Sequence, residues 1–180
     1  MYDRQKGGFF VLMEVTIANL QDIDRIWEII SANAQWLLNY KGLSHWSSYY
    51  TKDLIVEVCK TKTVFVLKNE HGVVGLIAIS DHMPDYYTEP SKEALTKLIP
   101  PVLFLSMLAV DPAYHRHGFA NILLDFIEKY AKDNKYKTVC LDCRAEDTSL
   151  VAWYLRKQFG IHNTFVEGED ETYLMMQKMI

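Results

Sequence analysis

The sequence has no apolar run near the ~20 residues that cross a bilayer, so no transmembrane helix is expected. Its opening stretch, Met1 to Gly8, is polar and charged and lacks the apolar centre of a signal peptide, which makes a cytoplasmic location the expectation. Positive charge is not in excess. The 19 Lys and Arg stand against 23 Asp and Glu, a net charge of −4, and the footprint of a nucleic-acid binder is missing. Cysteine is scarce, with three residues, Cys59, Cys140 and Cys143. Cys140 and Cys143 form a Cys-x-x-Cys pair, but no second pair stands ready to complete a zinc site. Both lie in or beside a strand-like stretch, where residues three apart point to opposite faces, so they read as small buried thiols. Internal repeats, low-complexity tracts and interdomain linkers are absent as well.

What is present is a chain of 180 residues, 49% apolar, which suits one domain over residues 1–180 with a full core. Phe9 to Ile17 reads as a first strand. A helix follows, with Asn19 or Asp22 as its cap and Ile23, Ile26, Trp27, Ile30 and Ala34 at helical spacing. Trp36 to Tyr50 is aromatic and interrupted by Gly42, and reads as a short helix and a loop. Lys52 to Lys60 is a further helix with Leu54, Ile55 and Val58 inward. Thr63 to Lys68 and Val73 to Ser80 form a hairpin around Asn69-Glu70-His71-Gly72. A long connection, Asp81 to Pro101, contains a Tyr86-Tyr87 pair and a short helix over Ser91 to Leu98. Tyr136 to Asp142 is a strand and Ser149 to Phe159 a helix, capped by Thr148 or Ser149. Ile161 to Glu167 and Thr172 to Ile180 close the chain as two strands around an acidic turn. This order predicts an α/β domain with a mixed sheet.

Leu103 to Lys132 is the most informative stretch. Leu103 to Val110 is an apolar run suited to a sheet centre, and Asp111-Pro112 stops it because proline lacks the ladder donor. His115-Arg116-His117-Gly118-Phe119-Ala120 follows, and then a helix with Ile122, Leu123, Phe126, Ile127, Tyr130 and Ala131 on one stripe. No Ser, Thr, Asp or Asn stands at residues 113 to 120 to cap that helix. Free N–H groups beside a glycine, with Arg116 and two histidines nearby, make a natural anion site. The same residues also read as a basic strand–loop–helix connector with water on its N–H groups.

Leu108-Ala109-Val110-Asp111-Pro112 and the loop after it resemble the acyl-CoA-binding motif of the GNAT superfamily of acetyltransferases. That motif is Gln or Arg, two residues, Gly, one residue, then Gly or Ala; His115 replaces the first position here. A later segment, Leu141-Asp142 to Asp147, then Leu150, Trp153-Tyr154 and Phe159, resembles a second motif of the same superfamily. Asp142 stands at its acidic position, Asp147 at its Asn position, Tyr154 at its tyrosine and Gln158 where Gly is usual, a role Gly160 would take over. The resemblance covers essentially the whole chain. It implies the GNAT fold, a mixed and mostly antiparallel central sheet flanked by helices, and acetyl-CoA as cosubstrate with no metal. It also implies a small-molecule or peptide amine as acceptor, and copies that pair through sheets or terminal strands.

The resemblance also implies roles. Backbone groups of Leu108, Ala109 and Val110 would contact the acyl and pantetheine parts. His115, Arg116, His117, Gly118, Phe119 and Ala120 would cradle the pyrophosphate. Tyr154 would assist the leaving thiolate, Asp142 would take the amine proton, and Asp147 would contact the cofactor, although Asp lacks the amide donor of Asn. Without the resemblance, Tyr154 reads as a half-buried aromatic, and Asp142 as a partner of Arg144 or a helix cap. Asp81, Asp85, Glu89 and His45 are further polar groups without motif support. A non-catalytic acyl-CoA-binding regulatory domain is the alternative function. A nucleotide-phosphate binder is weaker, since the loop lacks the Lys and the Ser or Thr of the Walker pattern.

Overall fold

The computed structural model describes residues 5–6, 9–10, 13–84, 87, 89–167 and 171–180. The strands are β1 (Gln5–Lys6), β2 (Phe9–Phe10), β3 (Glu14–Ile17), β4 (Thr63–Asn69), β5 (Gly72–Ser80), β6 (Val102–Val110), β7 (Thr138–Arg144), β8 (Gly160–Glu167) and β9 (Glu171–Met179). The helices are α1 (Ile23–Lys41), α2 (His45–Tyr49), α3 (Lys52–Thr61), α4 (Glu89–Leu95), α5 (Phe119–Asp133) and α6 (Thr148–Arg156). β1 and β2 pair with each other. The remaining strands form a mostly antiparallel sheet in the order β3-β4-β5-β6-β7-β9-β8. No helix of the described residues is long and apolar enough to cross a membrane.

The chain divides into two compact units: Met1–Ile79 with Met107–Ile127, and Ser80–Ser106 with Glu128–Ile180. In the first unit, Asn19 and Asp22 form a capping box ahead of α1, Asn19 Oδ1 accepting from Gln21 N and Asp22 from Asn19 N. Helix α1 then runs on through Trp36 to Lys41, so the helix expected after Trp36 is its continuation. It stops where Gly42 takes φ 68°, a left-handed cap that glycine adopts without a Cβ penalty. Ile26, Ile29 and Ile30 of α1 and Ile55 and Val58 of α3 bury against Val64, Val66, Leu76, Ala78, Met107 and Ala109 of the sheet. Each fully buried aliphatic of this set contributes roughly 1.5–3 kcal/mol. The β4–β5 hairpin closes through Glu70-His71, with Asn69 Oδ1 accepting from His71 N at 2.8 Å and Gly72 at φ 112°.

In the second unit, β6 pairs β7 in parallel from Val102↔Thr138 to Phe104↔Cys140, and β7, β9 and β8 continue antiparallel. Its core gathers Tyr87, Ala94, Leu98, Phe104, Cys140, Phe165 and Met175. The expected helix over 91–98 appears as α4. The strand over Tyr136 to Asp142 begins later and runs to Arg144. Asp85, Tyr86, the centre of the first expected strand and the acidic turn at 168–170 lie outside the described residues, as does the side chain of Glu89.

Within the first unit, β5 and β6 approach closely at Gly75. A Cβ there would sit 3.0 Å from Ala109 O and 3.2 Å from Leu123 Cδ1. Gly75→Val is therefore expected to overpack the unit and cost about 1–3 kcal/mol. Thermal denaturation should show a fall of several degrees, with Gly75→Ala falling less. An unchanged melting temperature for the valine variant would mean that the two strands have slack here.

Candidate active site

The candidate residues fall into two groups, one in each unit. In the first, β6 carries an irregularity before its end. Met107 sits at φ 55°, a left-handed conformation that a non-glycine residue adopts inside a strand only at a cost of about 1–3 kcal/mol. Such a residue interrupts the pleat and turns the next peptide out of the regular alternation. Leu108, Ala109 and Val110 follow directly.

At the strand end, Asp111 caps a short 3-10 turn, Pro112–Tyr114, accepting from Ala113 N at 2.9 Å. Its own N–H donates to Val74 O at 2.9 Å, and its carboxylate pairs with Arg25 of α1. Arg25 also donates through Nε to Val73 O at 3.2 Å. The Val110 carbonyl accepts from Asn33 Nδ2 at 2.9 Å and faces His115 Nε2 at 3.0 Å. The same Nε2 lies 3.3 Å from Asn33 Oδ1. Both neighbours are acceptors, so Nε2 carries the proton. Burial pulls the imidazole below its ordinary pKa, against the opposing pull of the Val110 carbonyl. Its ring also packs edge-on against Trp36, centroids 4.9 Å apart.

Beyond His115 the backbone opens. Arg116 (φ 63°) and Gly118 (φ 82°) are both left-handed, and the side chains of Arg116 and His117 are exposed. The N–H groups of His115 and His117 are taken up by Pro112 O and Tyr114 O. Those of Arg116, Gly118, Phe119 and Ala120 have no acceptor among the described residues. The Gly118 carbonyl accepts from Asn121 N and Ile122 N, so α5 begins here with a bare first turn. Unpaired N–H groups at left-handed turns and a helix N-terminus form a concavity suited to an anion.

In the second unit, Asp142 projects from β7 and its Oδ1 accepts from Tyr87 OH at 2.9 Å. Tyr87 is buried, in the connection after β5, and belongs to the aromatic pair that in the sequence suggests an amine pocket. Arg144 is engaged elsewhere, by Glu146 (3.0 Å) and Glu171 (2.6 Å), with its guanidinium over the Tyr173 ring. Asp147, rather than Thr148 or Ser149, is the cap of α6. Its Oδ1 accepts from Leu150 N at 3.0 Å and from Ser149 Oγ at 2.9 Å. Gln158 itself takes the left-handed turn after α6, at φ 68°, whereas Gly160 opens β8.

Tyr154 is buried among Trp153 and Phe159, and its hydroxyl has no hydrogen-bond partner among the described residues. Burial, reinforced by Cys143 and then by Asp142 and Asp147, pushes the phenol well above its ordinary pKa. Cys140 and Cys143 are buried free thiols, each pushed up to about 12 by burial first. Such thiols are inert at neutral pH. Asp81 pairs with His82 at the surface, and His45 stacks edge-on against Trp46. Arg25, Asn33 and Trp36 carry no motif in the sequence that marks them for the site. Only the polar Asn33 within an apolar helical stripe offered a signal.

Comparison with known proteins bears on both groups. The model of the acetyltransferase (GNAT) family matches residues 24–161. Among solved structures, a GNAT-family acetyltransferase from Listeria monocytogenes 4b F2365 superposes with TM-score 0.74 at 20% identity, covering 99% of this chain and 100% of that one. The ribosomal-protein-S18-alanine N-acetyltransferase of Escherichia coli gives TM-score 0.69 at 14% identity, over 94% of each chain. A putative acetyltransferase of Salmonella typhimurium, solved with its cofactor acetyl-CoA, gives 0.64 at 15% identity, over 93% of each. No curated protein sequence matches. At these identities the solved structures establish the shared fold, and the family model, spanning both motif regions, establishes that this chain belongs to the GNAT acetyltransferase family.

Proposed function

We propose that residues 1–180 act as one N-acetyltransferase domain that moves an acetyl group from acetyl-CoA to a primary amine of a small molecule or peptide, by direct attack in a ternary complex. The observation that carries this reading is the bare first turn of α5. In a family member, the unpaired N–H groups of Arg116, Gly118, Phe119 and Ala120 fit a pyrophosphate, and Arg116 adds charge.

Acetyl-CoA supplies an activated thioester. The amine nitrogen bonds to its carbonyl carbon, the carbon–sulfur bond breaks, the sulfur leaves as thiolate, and the amine gives up a proton. Each change needs a group from the chain. Backbone N–H groups of Leu108 to Val110, redirected after the left-handed Met107, suit the developing oxyanion. The Tyr154 hydroxyl, unpartnered within the protein, suits the sulfur. With its phenol raised above 10, full proton transfer to a thiolate near 8.5 is uphill by more than about 2 kcal/mol, so a hydrogen bond is its contribution. Asp142, oriented by Tyr87, takes the amine proton directly or through a water. Asp147 spends Oδ1 on the α6 cap, which supports the helix that carries Tyr154.

Three outcomes follow from these assignments. Millimolar acetyl-CoA should raise the melting temperature by mass action. Gly118→Val, which forces a β-branched side chain into a φ of 82°, should remove that shift, with the ligand-free melting curve as control. An unaltered shift in the variant would place the pyrophosphate elsewhere. Tyr154→Phe should keep acetyl-CoA affinity, since the ring still packs, and lower kcat roughly a hundredfold. Wild-type turnover would reduce Tyr154 to core.

For Asp142→Asn, kcat/KM should fall most at low pH, where the amine is protonated, and recover above about pH 9 as solvent removes the proton. A loss uniform in pH, with a lowered melting temperature, would make Asp142 a scaffold residue. Acetyl-CoA binding without turnover on any of a panel of amines would favour the regulatory-domain alternative.

A further inference from the structure

At the position where the superfamily motif carries Gln or Arg, this chain has His115, and its side chain is turned inward. Its Nε2 reaches the Val110 carbonyl at 3.0 Å and Asn33 Oδ1 at 3.3 Å. Asn33 completes a closed triangle. Its Nδ2 donates to the same Val110 carbonyl at 2.9 Å and to Ile29 O of its own helix at 2.8 Å. Asn33 is 8% exposed, so each of these bonds is made away from water, where an unpaired partner is costly. Trp36 closes the triangle from the side. Asn33, Trp36 and Arg25 all belong to α1, and Arg25 holds the next residue, Asp111. One helix thus grips the Val110–Asp111 junction from two points, and His115 is the loop's answering contact.

The geometry points to His115 and Asn33 as positioning residues. By locking the Val110 carbonyl toward α1, they fix the start of the loop whose left-handed Arg116 and Gly118 present the unpaired N–H groups. The inference rests on the acetyl-CoA reading above. It goes beyond that reading in assigning His115 a contact inside the protein instead of on the ligand, and in drawing Asn33 of α1 into the binding of the cosubstrate. A cradle of backbone donors works only when held in shape before the ligand arrives, because ordering on binding subtracts from affinity.

The test is calorimetric titration with acetyl-CoA, beside steady-state kinetics. Wild-type protein that fails to bind acetyl-CoA defeats the underlying function and not the clamp. Given wild-type binding, His115→Phe keeps the packing on Trp36 and loses the donor. It should weaken Kd about tenfold and raise KM for acetyl-CoA in step, with a much smaller change in kcat. His115→Gln offers an amide donor in its place and should recover most of the affinity.

Asn33→Ala combined with His115→Phe should cost little more than the worse single variant, because both act on one carbonyl. Wild-type Kd in His115→Phe, equal losses in the Phe and Gln variants, or fully additive losses would each overturn the proposal. If Asn33→Ala does not fold, the His115 pair alone decides it.

Discussion

A single carbonyl, that of Val110, accepts from one side chain of α1 and faces the imidazole of the loop that follows it. The chain must pass there from a buried strand to an exposed helix start within a few residues, and a buried carbonyl cannot be left unpaired. Asn33 and His115 meet that need, and Arg25 pairs with the carboxylate of the next residue, Asp111. The bare first turn of α5 is the complement of this arrangement. Donors inside the junction are paired, and the N–H groups of Arg116, Gly118, Phe119 and Ala120 at its outer side have no acceptor among the described residues.

The second unit shows the same division between satisfied and available groups. Arg144 pairs with Glu146 and Glu171, Tyr173 donates to Glu171, and Asp147 is committed to the α6 cap. Tyr154 stands apart from that network, a buried ring whose hydroxyl has no protein partner among the described residues and whose phenol is pushed above its ordinary pKa by burial.

Much of the architecture was legible from local pattern. The hairpin at 63–80, the stripe of α5 and the strand–loop–helix at 103–132 follow from periodicity, turn residues and proline, all of which act over a few positions. The uncapped helix start was readable for the same reason: a cap is a local side chain, and its absence shows in sequence. The reading of Cys140 and Cys143 as small buried thiols also came from their place in and beside a strand, and both are free and buried.

Other features depended on contacts far apart in the chain. Asn33 meets Val110 across 77 positions, Arg25 meets Asp111 across 86, and Tyr87 meets Asp142 across 55. No local signal encodes such pairings, because strand register and helix docking set them only after the core has packed. His115 is the clearest case. Its identity and place in the loop were plain from the letters, but the direction of its ring depended on a helix more than 70 residues earlier offering an amide and an indole beside the Val110 carbonyl.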